Sequence, residues 1–114
     1  MGKNIINIAL FGLGRIGQMH AENLINHPEF NLRYVFDIDK KLTKKLSKKY
    51  QCIPIKNPSV AFKDKNIKSI FISTSTKTHL KFIEDAVKNK NTFNAFILES
   101  YRWILNRYTL IFFR

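Results

Sequence analysis

Three glycines spaced as G-x-G-x-x-G are the residues of this sequence best suited to bind a charged ligand. They are Gly12, Gly14 and Gly17 of the segment GLGRIG, which directly follows the apolar run IINIALF. Between a strand and a helix, the first glycine permits a tight turn, the second lets a pyrophosphate approach the backbone, and the third allows close packing of the helix on the strand. The pattern predicts a phosphate-binding turn at the positive end of a helix. A glycine-rich turn without a ligand is the alternative.

An acidic residue stands where the ribose of a dinucleotide is expected. Asp37 follows the run LRYVF, 20 residues after Gly17. Its carboxylate can accept hydrogen bonds from ribose hydroxyl groups and would repel a 2′-phosphate. Lys40 and Lys41 could partly neutralise such a phosphate, but they begin a solvated helix in which their charges are screened. We therefore predict NAD as the cofactor, with NADP less favoured.

The segments that must position these residues alternate between strand and helix patterns. Continuous apolar runs predict buried strands, whereas apolar residues at i, i+4 and i+8, such as Leu42, Leu46 and Tyr50, predict helices. In the first helix, we expect Ile16, Met19 or His20, and Leu24 to share the inward face. Strands are predicted at 5–11, 32–36, 52–55 and 68–73, and helices at 15–26, 39–50, 58–64 and 78–90. This order predicts an α/β fold with a doubly wound parallel sheet.

Composition limits the other classes of protein. The 114 residues suit one domain, and the formal net charge is +12. Such a charge is compatible with nucleic-acid binding, but the densest lysine run, DKKLTKKLSKKY, alternates with leucines as a solvated helix face does, so nucleic acid is an unlikely partner. Cys52 is the only cysteine, which excludes an internal disulfide and fits a small core residue in a reducing compartment. The N-terminus does not resemble a signal peptide, and a cytoplasmic location is expected.

Three segments in order carry a resemblance to a known family. IALFGLGRIGQMHAENL, YVFDID and IFISTSTKTHLKFIEDAVKNK resemble the N-terminal half of the Gfo/Idh/MocA oxidoreductases, and most closely the inositol 2-dehydrogenase-like members, over residues 4–91. The resemblance implies a Rossmann domain, followed in the family by a larger α/β domain, and the use of NAD or NADP to oxidise or reduce sugars and polyols. The cofactor contacts that it implies in the first two segments are at Gly12, Gly14, Arg15, Ile16, Gly17 and Asp37.

A second cofactor-binding loop is implied by the third segment. Ser73, Thr74, Ser75, Thr76 and His79 match the family loop written T-P-x-x-x-H, with Ser75 in place of the usual proline. The loss of the proline would leave this loop less rigid. His79 either contacts the cofactor or only holds the loop by a hydrogen bond. No metal site is predicted, and His20 and His27 are interpreted as ordinary helix and turn residues.

The last segment, AFILESYRWILNRYTLIFFR, departs from the family pattern. The family continues with a strand and a Glu-Lys-Pro motif, but Glu99 is followed here by Ser100 and Tyr101. We divide the chain into a Rossmann domain over 1–94 and an atypical tail over 95–114. A membrane span is unlikely because Arg102 and Arg107 would lie inside it. The remaining interpretations are an amphipathic helix and out-of-frame translation beginning near Asn91, and we favour the second.

Three functions are open on the sequence alone. The favoured one is the cofactor-binding part of a polyol or sugar dehydrogenase that is inactive by itself, because no lysine motif or substrate domain is visible. Whether the chain is itself an enzyme is left open. The alternatives are a stand-alone dinucleotide-binding or regulatory module, with self-association through the apolar tail, and a basic nucleic-acid-binding protein.

Overall fold

A computed structural model describes residues 5–73 and the backbone of three further strands near the C-terminus. The strands in chain order are β1 (Ile6–Phe11), β2 (Phe30–Phe36), β3 (Ile53–Pro54), β4 (Ile67–Ile72), β5 (Asn94–Leu98), β6 (Arg102–Asn106) and β7 (Thr109–Phe113). The helices are α1 (Arg15–Ile25), α2 (Lys40–Tyr50) and α3 (Ser59–Lys63). The predicted strands and helices within residues 5–73 are all present, with ends that differ by at most two residues. The helix predicted at 78–90 lies outside the described residues.

The described strands form one sheet in the order β3-β2-β1-β4-β5-β6-β7. Strands β1 to β5 pair in parallel, and β6 and β7 are added in antiparallel orientation. Parallel pairing places the carboxyl ends of β1, β2 and β4 at one edge of the sheet. This arrangement is the doubly wound, Rossmann-like α/β fold predicted from the sequence.

Two hydrophobic clusters cover the two faces of the sheet. Along β1, Ile8 and Leu10 pack on one face with α1 and α2, whereas Ala9 and Phe11 pack on the other with α3. Strand β2 breaks this alternation, because Ile8 pairs with Leu32 and the next residue, Ala9, pairs with Tyr34. This bulge puts Leu32 and Val35 on the same face although they are three residues apart. The core therefore fixes β1 between two helical layers, with its carboxyl end free to enter a turn.

The inward face of α1 differs from the prediction. Its buried residues are Gly17, Ala21 and Leu24, whereas Ile16 is 41% exposed and Met19 is 51% exposed. Leu24 is therefore inside, as predicted, and His20, the alternative to Met19, is half-buried with its ring against Phe71. In the first turn of α1, glycine lies where the helix is closest to β1, and Ile16 points outward. In α2 the prediction holds better, since Leu46 and Tyr50 are buried and Leu42 packs against the same cluster.

The loop before β4 is held at the amino edge of the sheet by a cluster of polar side chains. The Tyr34 hydroxyl donates a hydrogen bond of 2.7 Å to Oδ2 of Asp64, and Arg33 Nε donates to the same oxygen at 3.2 Å. The other oxygen of Asp64 accepts the Asn66 N–H at 2.8 Å. Together these contacts fasten the end of α3 to β2.

The described residues of the tail lie in strands, so the interpretation of the tail as an amphipathic helix is wrong. Strand β5 continues the parallel sheet beside β4, β6 pairs antiparallel with β5, and β7 pairs antiparallel with β6. The segments are rich in β-branched and aromatic residues, which favour strands. Among the described residues, no helix is long and apolar enough to cross a membrane. The domain boundary after residue 94 stays a prediction.

Candidate functional site

The turn between β1 and α1 depends on two glycines for its shape. Gly12 has a φ angle of 99°, in the region that favours glycine, and its N–H donates a hydrogen bond of 2.8 Å to the carbonyl of Phe36. A Cβ placed on Gly17 would overlap the carbonyl oxygen of Gly12 and lie 2.8 Å from its carbonyl carbon. The backbone conformation of the turn therefore requires glycine at position 12, and the close approach of α1 to the end of β1 requires it at position 17.

Gly14 has a different environment. A Cβ placed on it would meet no atom within 4 Å, so packing within the described part of the chain does not require glycine there. Gly14 is the N-cap of α1 and offers no side chain to cap it. The first N–H groups of a helix have no intrahelical partner. Open space beside such groups can accept an anion, for which the helix N-terminus is favourable.

Leu13 lies between Gly12 and Gly14, and side chains hydrogen-bond to both its N–H and its carbonyl group. The Leu13 N–H donates a hydrogen bond of 2.7 Å to Oδ2 of Asp37. The Leu13 carbonyl accepts one of 3.0 Å from Nε2 of Gln18. The second carboxylate oxygen of Asp37 accepts the Asp39 N–H at 2.8 Å. Sequence reasoning missed Gln18, because a glutamine on a helix carries no signal for a contact with the preceding turn.

Asp37 also lines a cavity of about 650 Å³ at the carboxyl ends of β2 and β3. Ile38, beside it, is 87% exposed. Three lysines line the same cavity, but Lys41, one of the two named from the sequence, does not. Among residues 5–73, the ion pair that the structure contains joins Arg33 and Asp64. The lysines that line the cavity therefore form no ion pair with an acid in that part of the chain. The residues lining the cavity are Phe36, Asp37, Ile38, Lys40, Thr43, Lys44, Pro54, Ile55 and Lys56.

The other residues predicted from the sequence are only partly within the described region. Arg15 and Ile16 are exposed in the first turn of α1. Ser73 is buried just after β4, and its N–H donates a hydrogen bond of 2.7 Å to the carbonyl of Phe11. Ser73 therefore lies at the same edge of the sheet as the glycine-rich turn. Thr74, Ser75, Thr76 and His79 lie outside the described residues.

Neither a metal centre nor a reactive thiol is found among the described residues. They contain no group of three or more His, Cys, Asp or Glu side chains that could hold a metal ion. Burial raises the pKa of Cys52 to about 11, so at neutral pH it is a thiol and a poor nucleophile. His27 accepts the Glu29 N–H at Nδ1, as a turn residue does.

Comparison with known proteins identifies relatives. A myo-inositol 2-dehydrogenase of Thermotoga maritima is 29% identical over 86 residues, which cover 75% of this chain and 26% of that protein. The crystal structure of a myo-inositol dehydrogenase from Corynebacterium glutamicum superposes with a TM-score of 0.72 at 30% identity, over 82% of this chain and 27% of that one. GenD2 from gentamicin A biosynthesis, in complex with NAD, gives a TM-score of 0.75 at 22% identity over 82% and 26% of the two chains, a likeness of fold.

The chain thus spans about a quarter of the length of these relatives. The family model described as an oxidoreductase family with an NAD-binding Rossmann fold matches residues 6–99. The motifs of the sequence indicate a resemblance that ends at Asn91, but the family match extends eight residues further, to residue 99. The match continues through β5, whose apolar residues carry no distinctive motif. With this turn, this sheet order and a match over most of its length, the chain belongs to the Gfo/Idh/MocA oxidoreductase family, through its NAD-binding Rossmann fold.

Proposed function

We propose that this chain binds NAD at the turn between β1 and α1, as the cofactor-binding part of a polyol or sugar oxidoreductase of the inositol dehydrogenase type. In this proposal the pyrophosphate lies beside Gly14 at the N-terminus of α1, and Asp37 accepts hydrogen bonds from the adenosine ribose. The further cofactor contacts that we propose are Arg15, Ile16, Ser73, Thr74, Ser75, Thr76 and His79. NAD would supply a hydride acceptor, and the residues of this chain would bind and orient it.

The contrast between Gly14 and Gly17 carries the proposal. Glycine at position 17 is explained by packing against Gly12, whereas the space beside Gly14 is open within the described structure. An open approach to unpaired backbone N–H groups at a helix N-terminus suits a pyrophosphate. Without a ligand, packing within the described structure gives no reason for glycine at position 14.

Calorimetric titration of the purified chain with NAD tests this proposal. We expect saturable binding by the wild type and a loss of at least about tenfold, or 1.4 kcal/mol, in Gly14→Ala, because the added methyl group would occupy the approach of the pyrophosphate. Circular dichroism should show both proteins folded, since no atom opposes the new Cβ. Met19→Ala is a control on the same helix, because Met19 is exposed and away from the turn. Equal affinities of Gly14→Ala and the wild type would contradict the assignment.

The preference between NAD and NADP is a separate proposal. We propose that NAD is favoured, because a 2′-phosphate beside Asp37 would meet a carboxylate. The lysines that line the cavity would attract a 2′-phosphate and so reduce the preference for NAD. Two of them, Lys40 and Lys44, belong to α2. Titration of the wild type, Asp37→Ala and Lys40→Ala with both cofactors separates the contributions. We expect Asp37→Ala to lose the preference for NAD and Lys40→Ala to strengthen it. Tighter binding of NADP than NAD by the wild type would contradict the proposal.

We further propose that the chain does not transfer hydride by itself. Hydride transfer requires the nicotinamide, the substrate carbon and a proton acceptor held together. The family resemblance places a lysine where this chain has Ser100. With NAD and myo-inositol, the purified chain should form no NADH by absorbance, with an inositol dehydrogenase of full family length as the positive control. NADH formation by the wild type that is lost in Gly14→Ala would refute this part.

A further inference from the structure

We propose that Gln18 and Asp37 are positioning residues that keep the glycine-rich turn in the geometry required to bind a phosphate. They do so by holding the two peptide groups of Leu13, and this role of Asp37 is additional to any contact with a ribose. The inference rests on the proposed function of the turn as a dinucleotide site. It concerns how the turn is prepared for the ligand.

Leu13, in the turn between β1 and α1, is hydrogen-bonded by side chains from the end of β2 and from α1. Leu13 is fully buried. Asp37, from the end of β2, accepts its N–H at 2.7 Å, and Gln18, from α1, donates to its carbonyl at 3.0 Å. These are side-chain hydrogen bonds, so either one can be removed without breaking the hydrogen bonds of the sheet or of the helix.

The planarity of the peptide bond connects these contacts to the proposed ligand. The Leu13 carbonyl and the Gly14 N–H belong to one rigid peptide unit. When Gln18 fixes the direction of that carbonyl, it also fixes the direction of the Gly14 N–H. In the same way, Asp37 holds the peptide unit that joins Gly12 to Leu13.

Such restraint matters because glycines flank Leu13 on both sides. Glycine has access to more backbone conformations than any other residue, and ordering it costs more entropy. A turn that is already ordered before the ligand arrives avoids part of that cost, and the affinity rises accordingly. The side chains of Gln18 and Asp37 supply this order from outside the turn.

The two contributions of Asp37 can coexist. Each carboxylate oxygen can accept more than one hydrogen bond, and the Leu13 and Asp39 N–H groups use one on each. Ribose hydroxyl groups can therefore be added without displacing the Leu13 contact. The loss of Asp37 should remove both a ribose contact and a restraint on the turn.

Titration with two nucleotides separates the two effects. ADP has both ribose hydroxyl groups, and 2′,3′-dideoxy-ADP has neither, while both present the same diphosphate to the turn. We expect Asp37→Ala to weaken binding of dideoxy-ADP by about fivefold, the equivalent of one net hydrogen bond, and binding of ADP by more. Asp37→Asn retains an acceptor for the Leu13 N–H and should preserve more of the affinity for dideoxy-ADP.

Gln18→Met, which keeps the length of the side chain but removes its donor, should weaken both nucleotides by the same factor of about five. Met19→Ala, one residue further along α1, should change neither affinity. Unfolding midpoints in urea measured alongside show whether any loss reflects unfolding rather than binding.

The outcomes distinguish the positioning role from the proposed function. If the wild type binds ADP, but Asp37→Ala leaves dideoxy-ADP unaffected and Gln18→Met changes neither affinity, then the positioning role is wrong and the dinucleotide site stands. If the wild type binds neither NAD nor ADP, both proposals are overturned.

Discussion

Asp37 and Asp64 lie at opposite edges of the sheet and differ in what surrounds them. Asp64, at the amino edge, accepts hydrogen bonds from the Tyr34 hydroxyl, Arg33 and the Asn66 N–H, in a cluster closed by side chains. Asp37, at the carboxyl edge, accepts backbone N–H groups and lines an open cavity. The first carboxylate has its partners within the fold, whereas the second has room for a ligand. The comparison teaches that an acid at a sheet edge indicates a binding site only where space remains beside it.

The two later glycines of the turn repeat this difference on a smaller scale. Gly17 is enclosed by the backbone of Gly12, whereas Gly14 faces open space. Substitution at the enclosed positions should therefore affect stability, and substitution at the open positions should affect binding.

The largest effect is expected for Gly17→Ala. Its new methyl group would overlap the Gly12 carbonyl, and α1 would have to move away from β1. We expect a loss of about 3 kcal/mol or more in the free energy of unfolding, a large part of the roughly 5–15 kcal/mol typical of a domain. Urea unfolding followed by circular dichroism measures it, with Gly14→Ala as the matched control. The same unfolding midpoint for Gly17→Ala and the wild type would contradict the conclusion that packing requires glycine at position 17 but not at position 14.

An intermediate effect is expected for Asp64→Asn at neutral pH. The hydrogen bond from Tyr34, followed by those from the Asn66 N–H and Arg33, holds the pKa of Asp64 below its ordinary value. Replacing the carboxylate weakens this cluster, and we expect a loss of about 1–2 kcal/mol, as for hydrogen bonds to a charged group.

The pH dependence of this loss has a definite sign. Because the folded state lowers the pKa of Asp64, its carboxylate stabilises the fold above the unfolded-state pKa of about 3.9. That contribution is lost as the pH falls through the lower, folded-state value. The difference in urea midpoint between wild type and Asp64→Asn should therefore be constant near neutrality and shrink below about pH 4. A difference that persists unchanged in strong acid would show that the charge is not responsible.

The sequence predicts the site around Asp37 better than the polar cluster around Asp64. Gly14 and Asp37 belong to a recognisable pattern, a G-x-G-x-x-G turn with an acid at the end of the next strand. The meaning of that pattern depends on the surrounding strands and helix, which periodicity predicts. The contact between Tyr34 and Asp64 joins residues 30 positions apart in segments without a shared motif.

Other differences have local physical causes. On α1 the prediction is right for Leu24 and wrong for Ile16, because the closest approach of the helix to β1 is at Gly17, next to Ile16. The tail presents polar residues at helical spacing as well as β-favouring residues, and only its pairing beside β4 decides between the two. Tertiary contacts, which single-sequence patterns do not contain, determine each of these outcomes.

The smallest effects are expected at two tyrosine hydroxyl groups, and only one of the two substitutions should destabilise the fold. The Tyr34 hydroxyl donates to Asp64 at 2.7 Å, so Tyr34→Phe should destabilise the fold by about 1 kcal/mol.

Tyr50 is 5% exposed, and its hydroxyl has no hydrogen-bond partner among the described residues. Its burial, with Glu22 and Cys52 adding to the effect, raises the pKa of the phenol. A buried hydroxyl without a partner costs free energy, so Tyr50→Phe should leave stability unchanged or raise it by up to about 1 kcal/mol. Urea unfolding of both variants at neutral pH checks the pair. A clear loss of stability in Tyr50→Phe would show that this hydroxyl has a partner in the folded protein.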